Sequence, residues 1–162
     1  MAADPFETLL AETRTRTMGE LRWAMRGARP AVLQKIAVGV VPALFRNDYH
    51  GEPATMGDRW ADAIARPAAG ALPRFLVRVH VGTFDRADAD SLVAVMRVSE
   101  IVQAAVAVVS ETPVSAEIRD RLVALVPWFL DADGLAHLMM SANVGVRAKV
   151  YETKYVDPAY FR

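Results

Sequence analysis

Residues 91–109, "SLVAVMRVSEIVQAAVAVV", constrain the fold of this chain more than any other stretch. Leu92, Val95, Met96, Val98, Ile101, Val102, Ala105, Val106, Val108 and Val109 are spread almost all round a helical wheel, and "DRADAD" just before supplies helix caps. A helix that is apolar on every side belongs at the centre of a fold, covered by its neighbours. The pattern predicts one helix over about 90–109, with the rest of the chain packed around it.

The flanking segments read the same way. Asp4 as cap, Pro5 at the first helical position and Glu7 three residues after the cap mark a helix start. Phe6, Leu10, Thr13, Thr17, Leu21 and Ala24 then share a face. Pro30 opens a second helix, which Pro42 kinks or ends. Residues 46–57, "RNDYHGEPATMG", are rich in turn formers and read as a loop. A short helix is expected over 58–65, another over 117–126 after a Thr112 or Ser115 cap, and a last one over about 134–155. "RFLVRVHVG" alternates like a strand, but Leu72, Phe75, Leu76 and Val79 also match helical spacing. With no second strand to pair with it, 75–82 is read as helix. The expectation is an all-α helical bundle: a single domain over 1–162 of five to seven helices, closing on an aromatic tail at 149–162.

Composition removes several function classes. Cysteine is absent, so disulfides, thiolate nucleophiles and Cys-based metal sites are out. The 19 basic residues balance 19 acidic ones, which leaves no global field to draw nucleic acid or anionic lipid. The basic residues are 16 Arg and 3 Lys, a bias that fits a GC-rich bacterial genome. "MAADPFETLL" lacks the positive start of a secretory signal, and "AVLQKIAVGVVPALF" falls short of the ~20 residues of a membrane span. A soluble cytoplasmic protein is expected.

Chemistry-bearing motifs are sparse. His50, His80 and His137 are the only histidines, and none has the helical ligand spacing of a di-metal bundle. His80 beside valines and His137 on an apolar helix face are the candidates for holding a cofactor; no metal site is indicated. "DRADAD" and "DADG" resemble calcium loops, but the glycine and glutamate of an EF-hand are not in place, and capping explains both. None of the five serines lies in GxSxG, and no Gly-rich phosphate loop exists. "GLAHLMMSANVGVRAKVYETKY" has the basic residues of a helix-turn-helix but lacks the usual turn glycine, and it reads better as one amphipathic helix. Arg14, Arg22, Arg26 and Arg29 form a modest basic face suited to an acidic partner or a phosphate-bearing ligand. Met18, Met96, Met139 and Met140 suit an adaptable apolar pocket or a core.

The functional expectations follow. The first is a non-catalytic interaction protein, either an accessory or small subunit of a bacterial complex or a homo-oligomer. Tyr151, Tyr155, Pro158, Tyr160 and Phe161 of the tail would bind the protein partner, since tyrosine brings contact area at little entropic cost. The second is a small-molecule- or cofactor-binding domain, catalytic or not, built on His80 and His137. The third, a DNA-binding regulator using the last helix, is weakened by the neutral net charge.

Overall fold

The computed structural model describes residues 4–46, 48–70, 72–148 and 154–162. In order these form α1 (Pro5–Arg26), α2 (Pro30–Gly39), α3 (Val41–Phe45), β1 (Tyr49–Met56), β2 (Trp60–Pro67), β3 (Phe75–Val81), α4 (Arg86–Val98), β4 (Ala104–Val109), α5 (Ala116–Leu122), β5 (Trp128–Leu130), α6 (Ala132–Ala142), β6 (Val146–Ala148), β7 (Lys154–Val156) and a closing 3-10 turn (Pro158–Phe161). The chain is α/β. The all-α bundle expected from the sequence is overturned by a five-stranded sheet in the order β1-β2-β3-β4-β5.

Strands β1, β2 and β3 form an antiparallel meander, and β3, β4 and β5 run parallel. Parallel neighbours need a crossover, which α4 and α5 provide. Alternation then sorts the side chains into two cores. Ala61, Ala63, Ala65, Val77, Val79, Ala105 and Ala107 pack with α1, α2, α3 and α6. Leu76, Ala104, Val106 and Val108 pack on the other face beneath α4 and α5. β4 is buried on both faces along its whole length. A strand of that kind is a continuous apolar run with no alternation, and so is easily taken for the flank of a buried helix.

The expected 90–109 helix ends at Val98. Glu100 takes the left-handed conformation at φ +56, its N–H bonds the Arg97 carbonyl, and the Ile101 N–H bonds the Met96 carbonyl. These are the two bonds of a Schellman stop, and Ile101 and Met96 share the apolar cluster that accompanies it. Glycine usually fills the left-handed position; glutamate there leaves no mark in the sequence. The same device ends the expected 134–155 helix at Ala142. Asn143 sits at φ +54 and the Val144 N–H reaches the Met139 carbonyl. Beyond it, β6 pairs with β7.

The strand-like 75–82 segment is β3, at the centre of the sheet. Its partners were hidden inside two expected helices: β2 within 58–65 and β4 within 90–109. The expected loop at 46–57 is largely β1, whose Pro53 is tolerated because β1 is an edge strand and its register shifts there. A Cβ at Gly51 would lie 2.6 Å from the Val38 carbonyl oxygen, so this glycine lets α2 lie directly on the strand. α5 stops at Leu122, short of the expected 126. The helix starts agree with the reading: Asp4 caps α1, Pro30 opens α2, Pro42 begins the separate α3, and Ser115 and Asp131 cap α5 and α6. Asp85 and Asp88 form a reciprocal capping box on α4.

The tail folds back on its own chain. The Lys35 ammonium lies 4.3 Å from the Tyr160 ring centroid and donates to the Tyr160 carbonyl. Tyr160 and Phe161 pack on the α2–α6 core, and burial pushes the Tyr160 hydroxyl up to about 12. Among the described residues, no helix is long and apolar enough to cross a membrane.

If Glu100 is a strained left-handed cap, Glu100→Gly stabilises the protein by about 0.5–1 kcal/mol. Urea denaturation reads this as a raised midpoint at unchanged slope. A lowered midpoint would show that the side chain contributes more than its backbone strain costs.

Candidate functional site

Two side chains that sequence reasoning passed over, Asp62 and Arg78, hold the polar centre of the molecule. They are direct cross-strand partners on β2 and β3. The guanidinium grips the carboxylate with both ends of its fork: Nε to Oδ1 at 2.7 Å and Nη2 to Oδ2 at 2.9 Å. The side chains are 0% and 1% exposed. Arg78 also donates from Nη1 to Ser91 Oγ of α4 and stacks on the Trp60 ring, 3.6 Å from its centroid. Burial pushes the Asp62 carboxyl above its ordinary value, with Arg78 opposing. The only trace in the sequence is a pair of opposite charges on alternating strands, which becomes visible once both segments are known to be strands.

His80 stands directly opposite Trp60 in the same register and is fully enclosed. Its Nε2 faces the Thr83 carbonyl at 3.2 Å, with Asp88 Oδ2 at 3.8 Å, and the ring meets Phe84 edge-on. Its Nδ1 has no protein partner. Burial pushes the imidazole below its ordinary value; Asp88 and the Thr83 carbonyl oppose this, while Arg59 and Arg78 assist it. The neutral ring therefore carries its proton on Nε2 and donates it to Thr83. With no opening to solvent, this is an interior histidine.

The three histidines are not brought together. His50 lies exposed on β1 beside Glu52, which Arg66 also holds. His80 lies under α4, on one face of the sheet, and His137 on α6, which covers the other. Among the described residues no three acidic or imidazole groups gather as a metal site would require. Of the tail candidates, Tyr155 is half-buried on β7, Pro158 opens the 3-10 turn, and Tyr160 and Phe161 cover the chain's own core. Tyr151 lies outside the described residues.

Several concavities open to solvent, and two of them lie beside candidate residues. One, about 320 Å³, is lined by Arg14 and Met18 of α1, His137, Met140 and Ser141 of α6, and Lys154 of β7. The other, also about 320 Å³, lies beside the stacked rings of Phe45 and Phe75, with Trp128 set edge-on to both. The first gathers polar groups from three elements; the second is chiefly aromatic packing between α3 and the start of β3.

No protein-family model, curated protein or solved structure matches this chain.

Leaving one member of a buried ion pair without its partner costs about 3–5 kcal/mol. Asp62→Ala should therefore destabilise the protein by that amount in denaturant melts. The double change Asp62→Leu with Arg78→Met should cost much less than the two single changes added together. Additive costs would mean that the two charges are not coupled.

His80 has a depressed native value, so the unfolded chain takes up its proton first as pH falls below about 6.5. Native stability is then lost on acidification, by at most ~1.4 kcal/mol per pH unit. Asp62, with a raised native value, contributes in the opposite direction. The stability of the wild type minus that of His80→Leu isolates the histidine. This difference should be flat above pH 7 and fall below 6.5; a difference that stays flat to pH 5 refutes the assignment.

Proposed function

We propose that this chain is a non-catalytic interaction protein that works as a homo-oligomer, pairing through the outward face of α1. The observation that carries the reading is exposed apolar surface on that helix, above all Leu9 and Trp23. Phe6, Leu9 and Trp23 are 51%, 58% and 76% exposed. At about 100° per residue Leu9 and Trp23 fall on one side of α1 together with Glu12, Arg16 and Glu20, while Phe6 lies at the edge beside the buried Thr17. The buried Leu21 and Met25 point away from Leu9 and Trp23.

The pattern complements itself. Glu12 and Arg16 lie between Leu9 and Trp23 on that side, and neither has an ion pair among the described residues. Two α1 helices crossing antiparallel about a two-fold axis near Arg14 would set Glu12 of each copy against Arg16 of the other. The same axis places Leu9 and Trp23 of both copies along the seam, across roughly 21 Å of helix. A self-complementary patch of this kind generates a closed dimer. The strand residues able to do acid–base work, Asp62 and His80, are enclosed and held by their neighbours, which favours a non-catalytic role for the sheet.

Sedimentation of the full chain at micromolar concentrations should give a species of roughly 35 kDa, twice the 17.7 kDa chain. Trp23→Glu should yield a monomer with unchanged circular dichroism. Glu12→Arg should weaken association about tenfold, and adding Arg16→Glu should restore it, because repulsion between like charges is replaced by attraction. A wild type that is monomeric at every concentration sinks the reading. So does an assembly indifferent to both charge changes.

A further inference from the structure

We infer that the cavity between α1, α6 and β7 is a binding site for a small phosphate-bearing molecule, a phosphomonoester whose organic part lies on Met18 and Met140. The site is on the inward side of α1, away from Leu9 and Trp23, and rests on separate observations.

Charge comes first. Arg14 and Lys154 both line the cavity, and among the described residues no acidic one lines it. Glu12, two residues from Arg14, falls on the other side of α1 at about 100° per residue, and two described acids on the neighbouring elements are already engaged. Asp133, one turn before His137, is paired with Arg22, and Asp157 is held by Arg147. Arg14 makes no ion pair or hydrogen bond among the described residues, so its whole guanidinium fork is available. That planar, five-donor group matches the oxygens of a phosphate.

Lys154 is positioned rather than free to swing. Its backbone carbonyl accepts a hydrogen bond from the buried Thr17 hydroxyl of α1 at 2.6 Å, and its ammonium donates to the Met140 carbonyl of α6. The Met140 carbonyl uses one of three ammonium donors and leaves the positive charge uncompensated. A lysine held by both neighbouring helices presents its charge with little entropy left to lose on binding.

The remaining lining sets the ligand class. The His137 imidazole and the Ser141 hydroxyl lie one turn apart on α6 and add two hydrogen-bonding groups, suited to further phosphate oxygens. Met18 and Met140 add flexible, polarizable apolar surface, which a bare inorganic anion would leave unused. At about 320 Å³ the cavity suits a small ligand.

The test is titration calorimetry of the full chain at constant ionic strength, with inorganic phosphate, phenyl phosphate and phenol as probes. Phosphate should bind once per chain with a midpoint in the range of about 1–10 mM, and phenyl phosphate at least about fivefold tighter. Phenol alone should not bind in that range. Arg14→Gln, at an exposed helical position that leaves the fold intact, should weaken both phosphates about tenfold, the loss expected for one charge-assisted contact. Arg26→Gln, on the same helix but paired with Glu111 outside the cavity, should change nothing. Phosphate binding that responds equally to Arg14→Gln and Arg26→Gln would show diffuse attraction and overturn the site. So would an absence of saturable binding by either phosphate. Equal affinity for phosphate and phenyl phosphate would refute the organic-ligand class. A chain that proves monomeric and still binds phenyl phosphate through Arg14 would refute the dimer and leave this site standing.

Discussion

The bidentate pair between Asp62 and Arg78 is the interaction on which the rest of the sheet depends. Both charges are enclosed, and either alone would be several kcal/mol too costly to bury. They satisfy each other only in the register that sets them opposite across β2 and β3. A slip of one residue would send Asp62 to the other face, among the apolar side chains beneath α2, and leave Arg78 unpaired. The pair thus selects one register from several that the small alanines of β2 would otherwise permit. Arg78 also reaches Ser91, which ties α4 to the sheet, and α4 carries Asp88 to His80. The groups that look most capable of chemistry in this chain are therefore committed to holding strand, helix and register together.

That commitment moves the functional question to the surface, and to α1 in particular. The helix has two working sides. Inward, Leu21 and Met25 enter the core, while Thr17 fastens Lys154 and Arg14 faces the cavity beside α6. Outward, Leu9 and Trp23 remain exposed at either end of the helix. A helix held to its own fold only along part of one side has the rest of its surface available for a partner. The C-terminal tail does not: Tyr160 and Phe161 find their apolar surface on α2 and α6 of the same chain.

Helix starts were legible in the sequence because capping is local chemistry. Asp4, Pro30, Asp85, Ser115 and Asp131 each act within three residues of their own position. Gly27 and Pro30 marked the end of α1, but two later helix ends left no such mark. Glu100 and Asn143 adopt left-handed conformations in which tertiary packing, of Ile101 on Met96 in the first case, takes the place that glycine's freedom usually fills. With those stops invisible, β4 read as the continuation of α4, and β6 and β7 as the continuation of α6. Asn143 was the weaker concealment, because asparagine tolerates that conformation and Gly145 follows two residues later.

The strands failed for a different reason. Strand patterns can be read when one face is wet and the other dry. Here β4 is dry on both faces, β1 carries the glycine and proline that an edge permits, and β2 alternates alanines against Trp60, Asp62 and Ile64. Only β3 alternated visibly, and a lone strand has nothing to bond, so it was discounted. Its polar positions, Arg78 and His80, looked like the solvent-facing side of such a strand. They are among the most deeply buried residues in the molecule. What makes them tolerable there, Asp62 for the one and the Thr83 carbonyl for the other, arrives by strand pairing and a tight turn. A pattern confined to single residues cannot reveal a partner 16 positions away in sequence.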